Sequence, residues 1–325
     1  MIDFGYLLQD TSAYKTVKTD CINQTISHAY LITIPDEKFL KDYLKEFAKL
    51  IMCENGACGK CRACKLIDGQ VHSDVMFFPK EDQTLSVSDI NTIVEEAYYK
   101  PIEGERKVFV IYSAHLLNPQ AQNKLLKTLE EPPKGVHIIL GATNEFALLP
   151  TIKSRVKRLA ISSFANDKIF KCLQETCTNK DKLQNAVRFG DGTLGKALSL
   201  YSDENFVSAM ELAKDLIENM TSSTEVLKYS SKISELKIPL KEFLGILEIY
   251  FRDLLMRVNN KEQLIKSKNH SELPSDFGYK EGSILNAISK IEQANLRENS
   301  NMNQTMLIDW LLFGILEGKH KWRKL

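Results

Sequence analysis

Five short apolar runs between residues 29 and 161 constrain the fold of this 325-residue chain more than any other feature. The runs are rich in β-branched and aromatic residues, and stretches with helical spacing of apolar residues alternate with them. Strands that alternate with helices build a parallel sheet, and near-continuous apolar runs suit strands buried on both faces. This part of the chain is therefore predicted to be an α/β domain. The runs are AYLITI, VMFF, VFVIY, VHIIL and VKRLAI.

Beyond Ser162 the strand pattern ends, and apolar residues recur at helical spacing. We predict three domains: an α/β domain over residues 1–161, a small all-α domain over 162–204 and a larger all-α domain over 205–325. A polar run over residues 259–283 interrupts the last domain. Its apolar stripes serve either as its own core or as a surface for partner subunits. The stripe residues are Phe243, Leu247, Tyr250, Leu254, Leu307, Leu311 and Ile315.

The charge balance, 43 Lys and Arg against 42 Asp and Glu, argues against a protein whose whole surface binds nucleic acid. No apolar segment is long enough to span a bilayer, and the N-terminus lacks a basic flank followed by a long apolar run. We therefore expect a cytoplasmic protein with no membrane contact. The basic run GKHKWRKL, residues 318–325, is predicted to be a solvated tail rather than a DNA contact.

Four of the seven cysteines lie in one short loop, CENGACGKCRAC, residues 53–64. Four clustered thiolates are the ligand set of a structural zinc site, which leaves no open position for a reacting water. A redox or disulfide role and unligated thiols are the alternatives, and His72 would replace a cysteine only if the loop cannot close. The predicted metal ligands are Cys53, Cys58, Cys61 and Cys64, whereas Cys21, Cys172 and Cys177 lack ligand spacing.

The run VFVIYSAHLLNPQAQNKLLKTLEEPP, residues 108–133, has the pattern of a buried strand, a turn and a helix. Asn118 suits the N-cap position and Pro119 the first helical position, and the two prolines at 132 and 133 stop the helix. In nucleotide-hydrolysing enzymes such a strand ends in acidic residues that hold magnesium and activate water. Here it ends in Tyr112 and Ser113 instead.

The run NKLLKTLEEPP, followed by a strand, the pair Thr143–Asn144 and TIKSRV, resembles the clamp-loader branch of the AAA+ ATPases. Within it the pattern is similar to the delta-prime subunits of bacterial DNA polymerase III. The resemblance covers residues 28–200, and the C-terminal third matches in length and helical character. It implies an AAA+-type α/β domain with an inserted zinc module, an all-α lid and an all-α C-terminal collar through which subunits close a ring.

In the clamp-loader family, the segment after the first strand normally carries a phosphate-binding loop, G-x-x-x-x-G-K-[ST]. The match from residue 28 to residue 53 runs without a gap, but the glycines, lysine and hydroxyl residue of the loop are all replaced. A β-branched residue does not readily take the positive φ of glycine, and Asp36, Glu37 and Asp42 add negative charge where phosphate would bind. The replacements are Ile34 and Phe39 for the glycines, Leu40 for the lysine and Lys41 for the hydroxyl residue.

A third nucleotide-sensing position, an arginine in active family members, is Gly195 here. We therefore expect no bound ATP and no intrinsic ATPase activity. The weaker alternative is that Lys38 or Lys41 still reaches a phosphate in a different alignment of the loop; it is weaker because the glycines are missing. His115 is predicted to be a packed polar residue, and Thr143–Asn144 to cap or brace a strand end.

Ser154 and Arg155 match the first two residues of the family's Ser-Arg-Cys motif, and Val156 stands in place of the cysteine. In clamp loaders this arginine points into the ATP site of the neighbouring subunit. Arg155 is therefore the predicted arginine finger, acting in trans, with Ser154 as motif support. The alternative is that Arg155 is one more surface cation.

The resemblance implies a non-ATP-binding subunit of the DNA polymerase III holoenzyme, a DNA-directed DNA polymerase. Its partners would be gamma/tau and delta subunits in a hetero-oligomeric ring that loads the sliding clamp onto primed DNA during replication. An ATP-hydrolysing gamma/tau-like subunit is the alternative, since such subunits share LLKTLEEPP and the cysteine module. A zinc-module nucleic-acid binder would need a basic, aromatic-rich face that the composition does not supply.

Overall fold

The computed structural model describes residues 2–80, 85–261, 264, 278–298 and 303–323 of the chain. The chain divides into two compact units. The first contains Met1–Thr176 and Gly192–Gly195, and the second contains Cys177–Asp191 and Lys196–Leu325. Most of the polar run over residues 259–283 lies outside the described residues. Within the described part of the chain, no helix combines the length and the apolar character needed to cross a membrane.

The first unit is built on a five-stranded, all-parallel sheet. Its strands are β1 (Ala29–Thr33), β2 (Val75–Phe78), β3 (Lys107–Tyr112), β4 (Val136–Ala142) and β5 (Lys157–Ala160). Their order across the sheet is β2-β3-β4-β1-β5. Strand β1, second from one edge, pairs on both sides, with Leu31 opposite Leu140 of β4 and Arg158 of β5. The predicted α/β class is confirmed, and each of the five apolar runs contributes one strand.

Helices flank this sheet. They are α1 (Phe4–Leu8), α2 (Ser12–Ile22), α3 (Leu40–Met52), α4 (Arg62–Asp68), α5 (Val87–Glu96), α6 (Pro119–Glu130), α7 (Pro150–Lys153) and α8 (Asn166–Leu173). Two short 3₁₀ turns, Ala114–Leu116 and Glu145–Ala147, follow β3 and β4. The strand pattern did not reveal α1 and α2, which precede the first strand.

Helix α3 packs closely against the sheet because its apolar residues share one face. Tyr43, Leu44 and Phe47 of that face are fully buried. Gly141 in β4 permits this approach, since a side chain there would meet Leu44. The helix therefore runs from the carboxyl end of β1 to the cysteine loop, and it places both candidate ligand sites of the first unit.

Helix α6 begins and ends as predicted. The Asn118 side chain accepts a hydrogen bond from the Ala121 backbone N–H at 2.8 Å, and Pro119 occupies the first helical position. The helix ends at Glu130, ahead of the two prolines at 132 and 133. Its buried face, including Leu125 and Leu129, joins the core that covers one side of the sheet.

The second unit is helical, as predicted for the C-terminal region. Its helices are α9 (Lys180–Phe189), α10 (Leu194–Ser202), α11 (Phe206–Asn219), α12 (Ser223–Glu235), α13 (Leu240–Val258), α14 (Glu281–Glu298) and α15 (Gln304–Arg323), with the start of α10 belonging to the first unit. The apolar stripes of α13 and α15 lie in one core, at 0–2% exposure, so of the two alternatives they form this unit's own interior.

The prediction that residues 318–325 form a solvated tail is wrong for the first residues of that segment. Helix α15 continues to Arg323, and Lys319 is 1% exposed. The Lys319 Nζ donates to the Met220 carbonyl at 3.3 Å and lies 4.3 Å from the centroid of the Tyr279 ring. A lysine is tolerated there because its aliphatic stem packs while its charge faces a carbonyl and an aromatic face.

Candidate functional site

The turn after β1 holds apolar side chains at the positions predicted to replace a phosphate-binding loop. Ile34 and Leu40 are each 1% exposed. The Ile34 N–H donates to the Ala142 carbonyl at 3.0 Å, which extends the strand pairing into the turn. Phe39, at φ −114° and ψ 12°, precedes α3 without a side-chain cap. None of the turn residues from Ile34 to Leu40 has a positive φ, so the turn needs none of the glycine conformations of a phosphate loop.

A buried carboxylate lies inside this turn. Asp36 is 3% exposed. Its Oδ2 accepts hydrogen bonds from the Tyr43 hydroxyl and from the Gly195 backbone N–H, each at 2.9 Å. A side chain at Gly195 would meet Asp36 Oδ1 and would lie 2.9 Å from Lys38 Cβ. Gly195 and Asp36 thus fit closely together, and a larger residue at position 195 would require the neighbouring atoms to shift.

Aromatic rings complete the packing around Asp36. The Tyr43 ring meets Phe4 edge-on with centroids 5.3 Å apart and lies 5.5 Å from Phe164, while Phe4 lies 5.4 Å from Phe39. Burial, together with the Asp36 charge, raises the pKa of Tyr43 well above its usual range. The Tyr43 hydroxyl therefore stays protonated and remains a donor to the carboxylate.

The carboxyl end of β3 carries no acidic side chain. The Tyr112 hydroxyl donates to the Pro79 carbonyl at 2.8 Å, and Ser113 takes a left-handed backbone conformation with φ 78°. The Lys41 Nζ lies 4.9 Å from the Tyr112 ring centroid, and the Lys38 Nζ lies 5.9 Å from that of Phe39. Both lysines considered for a rescue of phosphate binding thus lie over aromatic rings.

The remaining polar residues of this sheet edge make local contacts. The Thr143 backbone N–H donates to His115 Nδ1 at 3.4 Å, and burial lowers the pKa of His115. Asn144 accepts from the Phe146 N–H at 2.9 Å and caps the second 3₁₀ turn. The predicted packing role of His115 and the predicted capping role of Thr143–Asn144 agree with these contacts.

Arg155 lies just after α7, and acceptors of its own chain bind its guanidinium. Nη1 donates to the Thr151 carbonyl at 2.9 Å and to Ser154 Oγ at 3.2 Å. Nη2 lies 2.7 Å from Oε1 of Glu130, the last residue of α6. The Arg155 side chain is 34% exposed, and its backbone carbonyl lies 3.0 Å from His28 Nε2. The two motif residues are therefore in contact, and the guanidinium is partly open to solvent.

The four clustered cysteines converge at the other end of α3. Their sulfur atoms all lie within 4.8 Å of one another, with Cys53 Sγ 3.7 Å from Cys58 Sγ and 3.6 Å from Cys61 Sγ. Sulfurs bound tetrahedrally to zinc at about 2.3 Å are about 3.8 Å apart. All seven cysteines are free thiols. The four sulfurs are spaced to bind a metal ion such as zinc.

Backbone N–H groups donate to two of these sulfurs. The Cys61 N–H donates to Cys58 Sγ and the Cys64 N–H to Cys61 Sγ, each at 3.4 Å. The N–H groups of Lys60 and Cys61 lower the pKa of Cys58 to about 6, whereas burial raises the pKa of Cys64 above its usual range. Donors from a tight loop favour a charged sulfur, the form that binds metal.

His72 is not part of this cluster among the described residues. Its Nδ1 accepts from the Asp74 N–H at 3.1 Å, and its side chain is buried. Gly56 and Gly59 take positive φ values of 64° and 69° and reverse the chain between the ligands. The loop thus brings four sulfurs together with cysteines alone.

The parallel sheet with its flanking helices, followed by the helical second unit, is an architecture of the AAA+ type. Residues 9–165 match the family model described as "DNA polymerase III, delta subunit". This region is similar to subunits of the DNA polymerase III clamp loader.

Relatives of more than one subunit type are similar to this chain. The DNA polymerase III subunit gamma of Buchnera aphidicola subsp. Schizaphis graminum is 29% identical over 217 residues, which cover 64% of this chain and 58% of that protein. The delta' subunit of Pseudomonas aeruginosa is 33% identical over 135 residues, which cover 40% of this chain and 41% of that protein. The chain thus spans about half the length of these two relatives. Similarity by itself does not separate the two subunit types.

A solved structure of a gamma subunit-related protein from Thermotoga maritima is also similar. It is 21% identical, and the match covers 95% of this chain and 100% of that one at a TM-score of 0.48.

The structure brings the predicted site residues together in three places. The turn positions lie with Tyr112 at the sheet edge, Ser154 lies with Arg155, and the four cysteines form one cluster. Sequence reasoning noted Asp36 only for its charge, and it missed the roles of Tyr43 and Glu130. Asp36 and Gly195 are 159 residues apart, so no local pattern signals their hydrogen bond.

Proposed function

We propose that this chain is a delta-prime-like subunit of the DNA polymerase III clamp loader that does not bind ATP. It helps to load the sliding clamp onto primed DNA during replication, as a cytoplasmic part of the DNA-directed DNA polymerase holoenzyme. Gamma/tau and delta subunits are its partners in a hetero-oligomeric ring. The sliding clamp and primed DNA are reached through that complex.

The observation that carries the proposal is the buried Asp36 in the turn after β1. A helix N-terminus that follows a strand is ordinarily an anion-binding site. Here a carboxylate of the same chain lies in the turn, and its partners are the Tyr43 hydroxyl and the Gly195 N–H. A phosphate would have to enter beside this negative charge and displace the aromatic packing. These features support a subunit without its own nucleotide.

Arg155 is the residue through which the subunit acts on ATP. Its guanidinium approaches the ATP of a neighbouring subunit and stabilises the charge that develops on the transferred phosphoryl group. Its partial exposure and its position at the surface of the first unit support this role. Ser154 supports the motif by accepting a hydrogen bond from Nη1.

Zinc is the proposed metal at Cys53, Cys58, Cys61 and Cys64. The donor set consists of thiolates, the sulfur spacing suits a tetrahedral ion, and four protein ligands leave no position for a water. When bound, the ion stabilises the loop between α3 and α4. The cysteines hold the ion in place, and the site contributes to folding rather than to a reaction.

The domain boundaries also remain proposals. The α/β domain with its inserted zinc module is assigned to residues 1–161, the lid to 162–204 and the collar to 205–325. The division into two compact units differs from this scheme, because residues 162–176 belong to the first unit.

The alternative function is an ATP-hydrolysing gamma/tau-like subunit, which the similarity to a gamma subunit favours. Reconstitution tests the proposed role. A loader assembled from gamma/tau-type and delta-type partners should load clamps onto primed DNA with this chain and lose most loading without it. Equal loading without the chain would contradict the proposal. Robust ATP hydrolysis by the isolated chain would favour the alternative.

A further inference from the structure

We propose that Glu130 is a positioning residue that orients the Arg155 guanidinium toward the ATP of the neighbouring subunit. This inference rests on the proposed function of Arg155 in trans. Glu130 is the final residue of α6, and Arg155 follows α7, so the pair joins two separate elements at the surface. The distance between Nη2 and Oε1 is 2.7 Å.

Three partners within the chain hold the guanidinium. The Thr151 carbonyl and Ser154 Oγ take hydrogen bonds from Nη1, and the Glu130 carboxylate forms an ion pair with Nη2 at 2.7 Å. An unpaired arginine side chain samples many rotamers, and each lost rotamer is an entropic cost when a ligand is bound. Contacts made in advance by Glu130 remove part of that cost before the phosphoryl group arrives.

The remaining donors are available for a phosphoryl group. A guanidinium has five N–H groups; Nη1 donates two hydrogen bonds to the described residues, and Nη2 is ion-paired with Glu130. Two N–H groups of a planar fork match two oxygens of a phosphoryl group. The carboxylate of Glu130 thus orients Arg155 without using up its capacity to bind.

A purely structural role fits Glu130 less well. The Glu130 side chain is 49% exposed and that of Arg155 is 34% exposed, and exposed ion pairs contribute little to folding. Glu131, the next residue, is also exposed and carries the same charge. It therefore serves as a matched control for a general change in surface charge.

The test uses a reconstituted loader in which the partner subunits' other ATP sites are inactivated. Clamp- and DNA-stimulated hydrolysis is measured with Arg155→Ala, Glu130→Ala, Glu130→Gln, Glu131→Ala and the double variant Arg155→Ala with Glu130→Ala. Arg155→Ala should lower kcat about a thousandfold at the facing site. Glu130→Ala should lower kcat about tenfold with little change in KM, because misorientation affects the transition state more than binding. Glu130→Gln, which keeps an oxygen acceptor, should stay within about threefold of the unmodified protein.

The double variant separates positioning from other effects. If Glu130 acts through Arg155, the double variant should be as slow as Arg155→Ala alone. A further tenfold loss in the double variant, or a Glu130→Ala rate equal to that of Glu131→Ala, would overturn the inference while leaving the arginine finger intact. An unchanged rate with Arg155→Ala would instead remove the proposed function and this inference together. Gel filtration and thermal melting check that each variant folds and assembles.

Discussion

The two ends of helix α3 differ in what they leave for a ligand. At its N-terminal end, Phe39 and Leu40 fill the turn, and the buried Asp36 accepts hydrogen bonds from Tyr43 and Gly195. At its C-terminal end, four sulfur atoms converge within 4.8 Å of one another, and one of the thiols has a lowered pKa.

The contrast shows that the position of a segment in the fold is not sufficient to create a ligand site. Binding requires converging atoms whose bonding capacity is not already used within the chain. Internal partners occupy the turn, whereas four thiolates gathered around one point repel each other unless a cation lies between them. Internal hydrogen bonds thus occupy the turn at one end of α3, and four sulfurs spaced to bind a metal ion converge at the other.

Loss of the metal should give the largest effect. Cys61→Ser should abolish zinc binding and lower the free energy of unfolding by about 4 kcal/mol or more, because a structural ion contributes its binding energy to folding. Metal analysis after dialysis and chemical denaturation measure both changes. Cys172→Ser, outside the cluster, is the control and should change stability by less than about 1 kcal/mol. Near-unit zinc retained by Cys61→Ser would break the comparison at this end of the helix.

Gly195→Ala should give the next largest loss of stability. The new Cβ would meet Asp36 Oδ1 and Lys38 Cβ, so the turn must shift and the Asp36 hydrogen bond must lengthen. We expect a loss of about 2–3 kcal/mol by denaturant unfolding.

Gly245→Ala is the matched control for this substitution. Gly245 lies inside α13, and its Cβ would meet only Lys196 Nζ at 3.8 Å. This change should stabilise the protein by about 0.5–1 kcal/mol, as Ala does in a helix interior. Equal effects of the two substitutions would show that Asp36 and Gly195 are not tightly fitted.

Tyr43→Phe should give the smallest effect. It removes one donor from the buried Asp36 carboxylate and leaves the Gly195 N–H in place. A loss of about 1–2 kcal/mol is expected, since a buried charge loses one of its two hydrogen bonds. Tyr14→Phe is the control at a ring that packs on Phe47, and it should cost less than about 0.5 kcal/mol. Thermal unfolding of both variants checks the difference, and equal costs would mean that the hydroxyl contributes nothing to the turn.

The sequence predicted regular elements better than long-range pairs. The five strands and helix α6 follow from local periodicity, caps and prolines, which act over a few residues. The cysteine cluster follows from spacing alone. The pairs Asp36–Gly195 and Glu130–Arg155 depend on how β1, α6 and α7 meet in space, which no local pattern encodes. Lys319 was misjudged for the same reason, because its partners Met220 and Tyr279 lie far from it along the chain.

Equilibrium titration with a fluorescent ATP analogue tests the central claim most directly. The purified chain at submillimolar concentration, with magnesium present, is titrated while fluorescence anisotropy is recorded, and an ATP-binding gamma/tau-type subunit serves as the positive control. With Asp36 buried in the turn and without acids at the end of β3, the chain should give no saturable signal for ATP or ADP. Saturable, magnesium-dependent binding would contradict the account of the closed turn.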